Sequence, residues 1–304
     1  MNQSSPDVSV IIATSLDSVR APLLVNAVDS ILSQAGCVAV PIIAVNGNRY
    51  EAGALEYWRK RSDVRLIQLE ELDQAKARYL ARKQVDTEFF ASIDDDDIFL
   101  PGAMSARLAP MRADRSVDLV VGNGIIERDG VESIVLARLD LHRRDPLIGL
   151  AAENWMPSSC AATFRTDAIG PGYFERLSRW MEWTALAFQL AVDGRKIVFL
   201  DDLTYRIADT ASSLSKGIDY ALGAPETLRQ LLQNPLPGEA QTVWRRKYGA
   251  ALHALAGLHL SRGEARSAWK AHIGSLFCDG GGRYVLYSRK LVPHLLSALR
   301  EGRA

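Results

Sequence analysis

The chain has 304 residues, 48% of them hydrophobic and 24% charged, the composition of a soluble globular protein that can bury a sizeable core. Thirty-six basic residues balance thirty-six acidic ones, which argues against nucleic acid as a partner. Cys37, Cys160 and Cys278 are far apart and odd in number, which argues against a disulfide framework or structural zinc and fits a reducing cytosol. The polar start, Met1 to Asp7, runs directly into a strand, and no window approaches about 20 apolar residues; neither a secretory signal nor a spanning helix is expected.

Val8 to Ile12 is a β-branched run that predicts a buried parallel strand. Leu23 to Leu32 carries apolar residues at helical spacing, and Val38 to Val45 reads as a second strand stopped by Asn46-Gly47-Asn48. A helix near Ala54 to Arg61, a strand Val64 to Leu69 and an Ala-rich helix Glu71 to Val85 follow. Strands alternating with helices over roughly 120 residues predict βαβ units and a mostly parallel sheet. Beyond Val117 the pattern changes. Asp118 to Ala137 predicts a hairpin about Arg128-Asp129-Gly130, and Leu139 to Pro157 reads as loop-rich. A short strand at Ser158 to Arg165, a helix Trp180 to Val192 and a strand Lys196 to Leu200 come next. Thr204 to Gly217 is polar and reads as a mobile loop. From about Pro225 the chain turns helical, with a helix pair, Trp244 to Leu260 and Glu264 to Leu276.

One stretch stands apart. Phe89 to Ile93 is an apolar strand that ends in four consecutive carboxylates, Asp94 to Asp97, followed by Ile98-Phe99-Leu100-Pro101. At an effective dielectric of about 20, close carboxylate pairs cost roughly a few kcal/mol each when charged. Either a solvated turn bears that cost or a divalent cation removes it. Asp is a poor strand former, so the run marks a strand's carboxyl end, where open α/β sheets hold their ligands.

Four places, in order, resemble the inverting glycosyltransferases of the GT-A fold, in the large bacterial family 2 group. These are Val8-Ser9-Val10-Ile11-Ile12-Ala13-Thr14, Ala77-Arg78-Tyr79, the Asp run with its D-x-D-D-x-x-x-P pattern ending at Pro101, and Met181-Glu182-Trp183 before Gly194. The likeness spans about two-thirds of the chain, Val8 to about Ser215. It implies an α/β fold with a Rossmann-like, mostly parallel central sheet flanked by helices. The expected division is a catalytic domain, 1–224, and a helical C-terminal extension, 225–304. Within the former, about 1–125 would hold the nucleotide-sugar and about 126–224 the acceptor.

The resemblance also implies roles. Asp94 and Asp96 form the D-x-D pair that would hold Mn²⁺ or Mg²⁺ on the donor diphosphate, Asp96 as direct ligand and Asp94 toward the ribose or a metal-bound water. Asp95 stands beside them at the donor. Asp95 and Asp97 have the same spacing, and Pro101 favours the first register. Glu182, in the first turn of a helix, is the candidate general base, in a slot where the family more often has Asp. Arg78 is a candidate nucleotide contact, because a guanidinium bonds strongly to phosphate or base oxygens. Thr14 would meet the base or ribose through its backbone. Asn46 replaces the family's usual acid after the second strand, which leaves the base undetermined. Arg206 either contacts the diphosphate or pairs with Asp202 or Asp209; Ala208 stands where the family often has His. Trp155, Trp180 and Trp183 are either sugar-stacking platforms or core.

The expected activity is metal-dependent, inverting transfer of a sugar from a nucleotide-diphosphate donor to a glycan or lipid-linked acceptor, in surface polysaccharide or glycoconjugate assembly. The alternatives are a sugar nucleotidyltransferase, against which Ala13 to Ala21 lacks the Gly-rich loop, and a non-catalytic sugar-binding module. The helical tail mixes basic and aromatic residues. It either touches a membrane peripherally, at the inner face, or packs on the catalytic domain or a second subunit of a homodimer. The expected location is cytoplasmic.

Overall fold

The computed structural model describes residues 5–128, 130–175, 177–178, 180–208 and 217–300, with backbone alone for 295–300. The chain forms two compact units, Met1–Thr210 and Ala211–Ala304.

The first unit is built on β1 (Val8–Thr14), β2 (Ala39–Asn46), β3 (Arg65–Leu69), β4 (Phe89–Asp94), β5 (Ile98–Phe99), β6 (Leu119–Arg128), β7 (Val131–Ile134), β8 (Ala162–Arg165) and β9 (Ile197–Ile207). These join one sheet in the order β3-β2-β1-β4-β8-β6-β9-β5, with β7 on β6. The long ladders, β1 on β2, β1 on β4 and β6 on β9, are parallel. Short β8 runs antiparallel to both its neighbours. The helices are α1 (Arg20–Leu32), α2 (Ala52–Lys60), α3 (Gln74–Lys83), α4 (Ala103–Ala113), α5 (Leu139–Arg144), α6 (Pro146–Ala152), α7 (Gly172–Glu175) and α8 (Glu182–Val192).

Every residue of β1 is buried, as a central strand covered on both faces requires. Leu24, Ala27, Val28 and Ile31 of α1 fall on one helical face and are buried with it. Each such aliphatic side chain contributes about 1.5–3 kcal/mol, so a charge at Ile12 would break the sheet at its centre. The order β2-β1-β4 makes the gap between β1 and β4 the point where the winding reverses. Open α/β sheets bind ligands outside the strand ends at that point. Here Thr14, Asn46 and Asp94 end the three strands side by side.

Several elements differ from the sequence reading. Leu139 to Pro157 is not loop-rich: α5 and α6 occupy most of it, the second started by Asp145, which accepts from the backbone N–H of Leu147 and Ile148 at 2.9 Å each. Helices of six and seven residues are too short to show periodicity, although Asp145-Pro146 is a start signal. The loop expected from Thr204 is strand as far as Ile207, where β9 pairs with β6 and β5; residues 209–216 lie outside the described residues. Bulges at Val121 to Gly124 let β9 keep its outward polar residues while Thr204 and Tyr205 are buried.

The second unit holds α9 (Ile218–Leu231), α10 (Gly238–Ser261), α11 (Ala265–Leu276) and α12 (Ser288–Arg300), with a 3-10 segment at Gly281–Tyr287. The helix pair read from the sequence is α10 and α11, turning at Gly263 with φ of 75°. The expected break at 224/225 falls inside α9, where Pro225 is buried, and the units divide at 210/211 instead. A proline in a helix interior loses one backbone hydrogen bond. Among the described residues, no helix is long and apolar enough to cross a membrane.

Candidate active site

The four aspartates alternate. Asp94 and Asp96 are part-exposed, whereas Asp95 and Asp97 are buried at 5% and 3%. Asp95 turns inward to the end of β1. It accepts from the Thr14 hydroxyl at 2.5 Å and from Arg20 Nη1 at 2.8 Å. The same Arg20 nitrogen stands 2.8 Å from Asp96, so two adjacent acids share one guanidinium at the start of α1. Burial alone would push the Arg20 guanidinium down, but Asp95 and Asp96 hold it above its ordinary value. Burial drives Asp95 up to about 6 against the opposing pull of Thr14 and Arg20.

Asp97 points beneath the turn. It accepts from the Ser158 hydroxyl at 2.9 Å and from the backbone N–H of Ala208 at 3.0 Å, and the Cys160 thiol lies 3.4 Å away. Burial, reinforced by the nearby Asp94 charge, pushes its carboxyl up to about 8. Asp97 therefore gives up its proton less readily than a free aspartate, and its contacts tie the turn to the segments just before β8 and just after β9. Its own backbone N–H closes the turn onto the Asp94 carbonyl at 3.2 Å. Ser159 and Cys160 sit in a buried 3-10 turn directly after Ser158.

On the other side of Asp94 lies Arg78, 3% exposed on the inner face of α3. Its Nη2 donates to Asp94 at 2.8 Å and its Nη1 stands 3.7 Å from Glu182. Its guanidinium carbon is 5.2 Å from the centre of the Trp183 ring, within cation–π range. One buried cation thus joins the strand-end carboxylate to the first residue of α8. The side chain of Glu182 is 24% exposed, so solvent-borne groups still reach it. Burial raises its carboxyl above the ordinary value, and Arg78 draws it partly back. Met181, which caps α8, has φ of 56°, a left-handed conformation that costs a non-glycine residue about 1–3 kcal/mol and is typical of functional turns. Arg78 Nε and Trp183 Nε1 are buried donors with no hydrogen-bond partner among the described residues.

The predicted residues thus fall into two groups. Thr14, Arg78, Asp94, Asp95, Asp96 and Glu182 converge at the carboxyl edge of β1 and β4. Asn46 borders them, but its side-chain N–H donates to the Thr14 carbonyl at 3.0 Å and tethers the two strand ends. Arg206 faces elsewhere. Its guanidinium is held by Glu132 at 2.5 Å and Glu127 at 3.8 Å on the β6–β7 hairpin, and Asp209 lies outside the described residues. Trp155 is fully buried, donating to the Pro146 carbonyl at 2.8 Å, and is core.

Sequence reasoning missed Arg20 and Arg107. The one signal for Arg20 was a lone cation shortly after the polar end of β1. Arg107 is fully buried under the Asp turn, donating to the Thr204 hydroxyl at 2.7 and 3.1 Å and lying 5.1 Å from the Phe99 ring. Gly122 leaves room for it: a Cβ there would meet Thr204 Oγ1 at 2.1 Å and Arg107 at 3.0 Å.

Among the described residues, no group of three or more His, Cys, Asp or Glu side chains is arranged to hold a metal ion. Asp94 and Asp96, the two part-exposed acids, fit a cation that takes most of its ligands from phosphate and water. Mg²⁺ bound through one or two carboxylates behaves in that way.

Residues 9–170 match the family described as glycosyl transferase family 2. No curated protein matches the chain. Among solved structures, TarS 1-349 of S. aureus in complex with UDP-GlcNAc superposes with a TM-score of 0.58 at 15% identity, covering 85% of this chain and 75% of that one. TarS 1-349 without the ligand gives 0.55 at 16%, covering 89% and 80%. The shared architecture is the GT-A fold, and with the family match covering more than half its length the chain belongs to glycosyl transferase family 2.

Proposed function

We propose that the protein is a metal-dependent inverting glycosyltransferase that moves a sugar from a nucleotide-diphosphate donor to an acceptor hydroxyl. The observation that carries this reading is the Arg78 bridge. A single buried guanidinium 2.8 Å from Asp94 and 3.7 Å from Glu182 keeps a donor-side carboxylate and a base-side carboxylate on one edge of the sheet. Glu182, part-exposed and set at the start of a helix, takes the acceptor proton as the acceptor oxygen bonds to the anomeric carbon. The bond from that carbon to the diphosphate breaks, with its electron pair leaving on phosphate. A single displacement of this kind inverts the centre. Asp94 and Asp96 would hold the divalent cation that, when bound, neutralises charge on the departing diphosphate.

UDP-GlcNAc, which the structural relative TarS binds, is the first donor to test. Asn46 offers an amide where the base would be read, so other nucleotides belong in the same screen. The acceptor is a glycan or a lipid-linked glycan, and the setting in surface polysaccharide or glycoconjugate assembly follows the family resemblance. Calorimetry with sugar nucleotides and Mn²⁺ or Mg²⁺ should give cation-dependent binding that Asp96→Ala abolishes. NMR of the product should then show the inverted anomer. If no sugar nucleotide bound in a cation-dependent way, or if the anomer were retained, the reading would fail.

A further inference from the structure

The balance of charge over the whole chain hides a sharp division. Residues 261–304 carry eight Lys and Arg against three Asp and Glu, a net +5, and the other 260 residues carry 28 against 33, a net −5. Within the basic segment the described acids are already used. Glu264 pairs with Arg262 and His259, and Asp279 pairs with Arg245. Arg266, Lys270, Arg283, Arg289 and Lys290 are exposed, and none has an acidic partner among the described residues.

Apolar side chains are exposed alongside them. On α11, Arg266, Lys270 and Ile273, with Phe277 just past its end, are spaced four, three and four residues apart, which places them along one helical face. The opposite face, Ala265, Ala268, Ala271 and Ser275, is buried. Phe277 is 79% exposed, and on the 3-10 segment that packs against α11 Leu286 is 69% exposed. A groove of about 500 Å³ runs along the exposed face, lined by Arg266, Trp269, Lys270 and Ile273.

A face that alternates cations with exposed aromatic and aliphatic groups needs a partner that is both anionic and apolar. A second copy meeting it through the same face would set like charges against like, as two-fold contacts bring each patch onto itself. An anionic bilayer answers both halves, with headgroup phosphates for the cations and acyl chains for Phe277 and its neighbours. We infer that the second unit docks the protein peripherally on anionic membranes through the Arg266–Phe277 face of α11. This surface belongs to the second unit, whereas every donor-site residue lies in the first, so the inference does not rest on the proposed reaction.

The test is sedimentation of the full chain with vesicles of phosphatidylcholine alone or with about one-third phosphatidylglycerol, at roughly 0.1 M and 0.5 M salt. Binding is expected only with phosphatidylglycerol and should weaken at the higher salt. Arg266→Glu with Lys270→Glu should weaken it by about tenfold or more, since each cation near an anionic surface supplies about 1 kcal/mol. Phe277→Ser should weaken it at both salt concentrations. All three substituted positions are exposed, and circular dichroism confirms that each variant is folded. No binding, equal binding to neutral vesicles, or unchanged binding by both variants would overturn the inference. So would a dimer in solution that Phe277→Ser dissociates.

Discussion

Arg78, Arg82 and Arg107 of the first unit are each at most 3% exposed, whereas Arg266, Lys270 and Arg283 of the second lie open to solvent. The buried three also differ among themselves. Arg82 donates to the Thr166 and Ile169 carbonyls at 2.7 Å, and Arg107 to a threonine hydroxyl. With neutral acceptors only, burial pulls both guanidiniums down to about 10. Arg78, one helical turn before Arg82, faces Asp94 and Glu182 instead. Buried cations that meet neutral oxygens brace the fold; the one that meets two carboxylates at a strand end marks the site. Surface cations contribute little to the stability of the fold.

This contrast can be broken in several ways. The largest expected effect is Glu182→Gln, which removes the base while keeping the shape. Turnover should fall about 10²–10⁴-fold with donor binding retained, and normal turnover would remove Glu182 from the mechanism. Arg78→Met comes next. It leaves Asp94 and Glu182 without their shared cation and should cost about 1–3 kcal/mol in denaturant melts. Glu182 is already raised by burial and is held down by Arg78, so loss of the cation raises it further. The base is active when ionised, so the acidic limb of kcat/KM should move to higher pH in this variant. An unmoved limb would show that Arg78 does not act on Glu182.

A pH-dependent effect is expected at Asp97, in metal-free buffer. Its folded value, about 8, lies above its ordinary 3.8, so the folded state holds a proton that the unfolded chain releases. The resulting stability is full below about pH 4 and is lost as pH rises through about 8. Asp97→Asn has no proton to lose. Its melting temperature relative to the parent should therefore rise between about pH 5 and pH 8, and parallel curves would refute the assignment. The smallest effect belongs to the surface: Arg266→Glu with Lys270→Glu should change folding stability by less than about 0.5 kcal/mol. A large loss would mean that those side chains pack, contrary to the exposure of both.

Much of the nucleotide half was legible because its signals are local. A wholly apolar strand, a helical repeat and an acidic run each announce themselves within ten residues. Accordingly β1, α1, β2 and β4 lie within a few residues of where the pattern puts them. The short helices α5 and α6 were not legible, since six or seven residues span too few turns to repeat. The strand continuation to Ile207 was hidden because its polar outward residues imitate a loop. Arg20 was missed for a different reason: it is unremarkable alone and acquires its role by touching an aspartate 75 residues away.

Sequence alone was enough to establish the alternating α/β architecture, the strand end at Asp94 and a helical second unit, because hydrophobic periodicity and turn chemistry act over short spans. Only the tertiary structure could divide the four aspartates into two facing outward and two facing inward. That division depends on which neighbours reach each carboxylate across the sheet: Arg78 for Asp94, Thr14 and Arg20 for Asp95, and Ser158 with Ala208 for Asp97. Burial and long-range pairing set the charge of a carboxylate, and neither is encoded in its spacing along the chain.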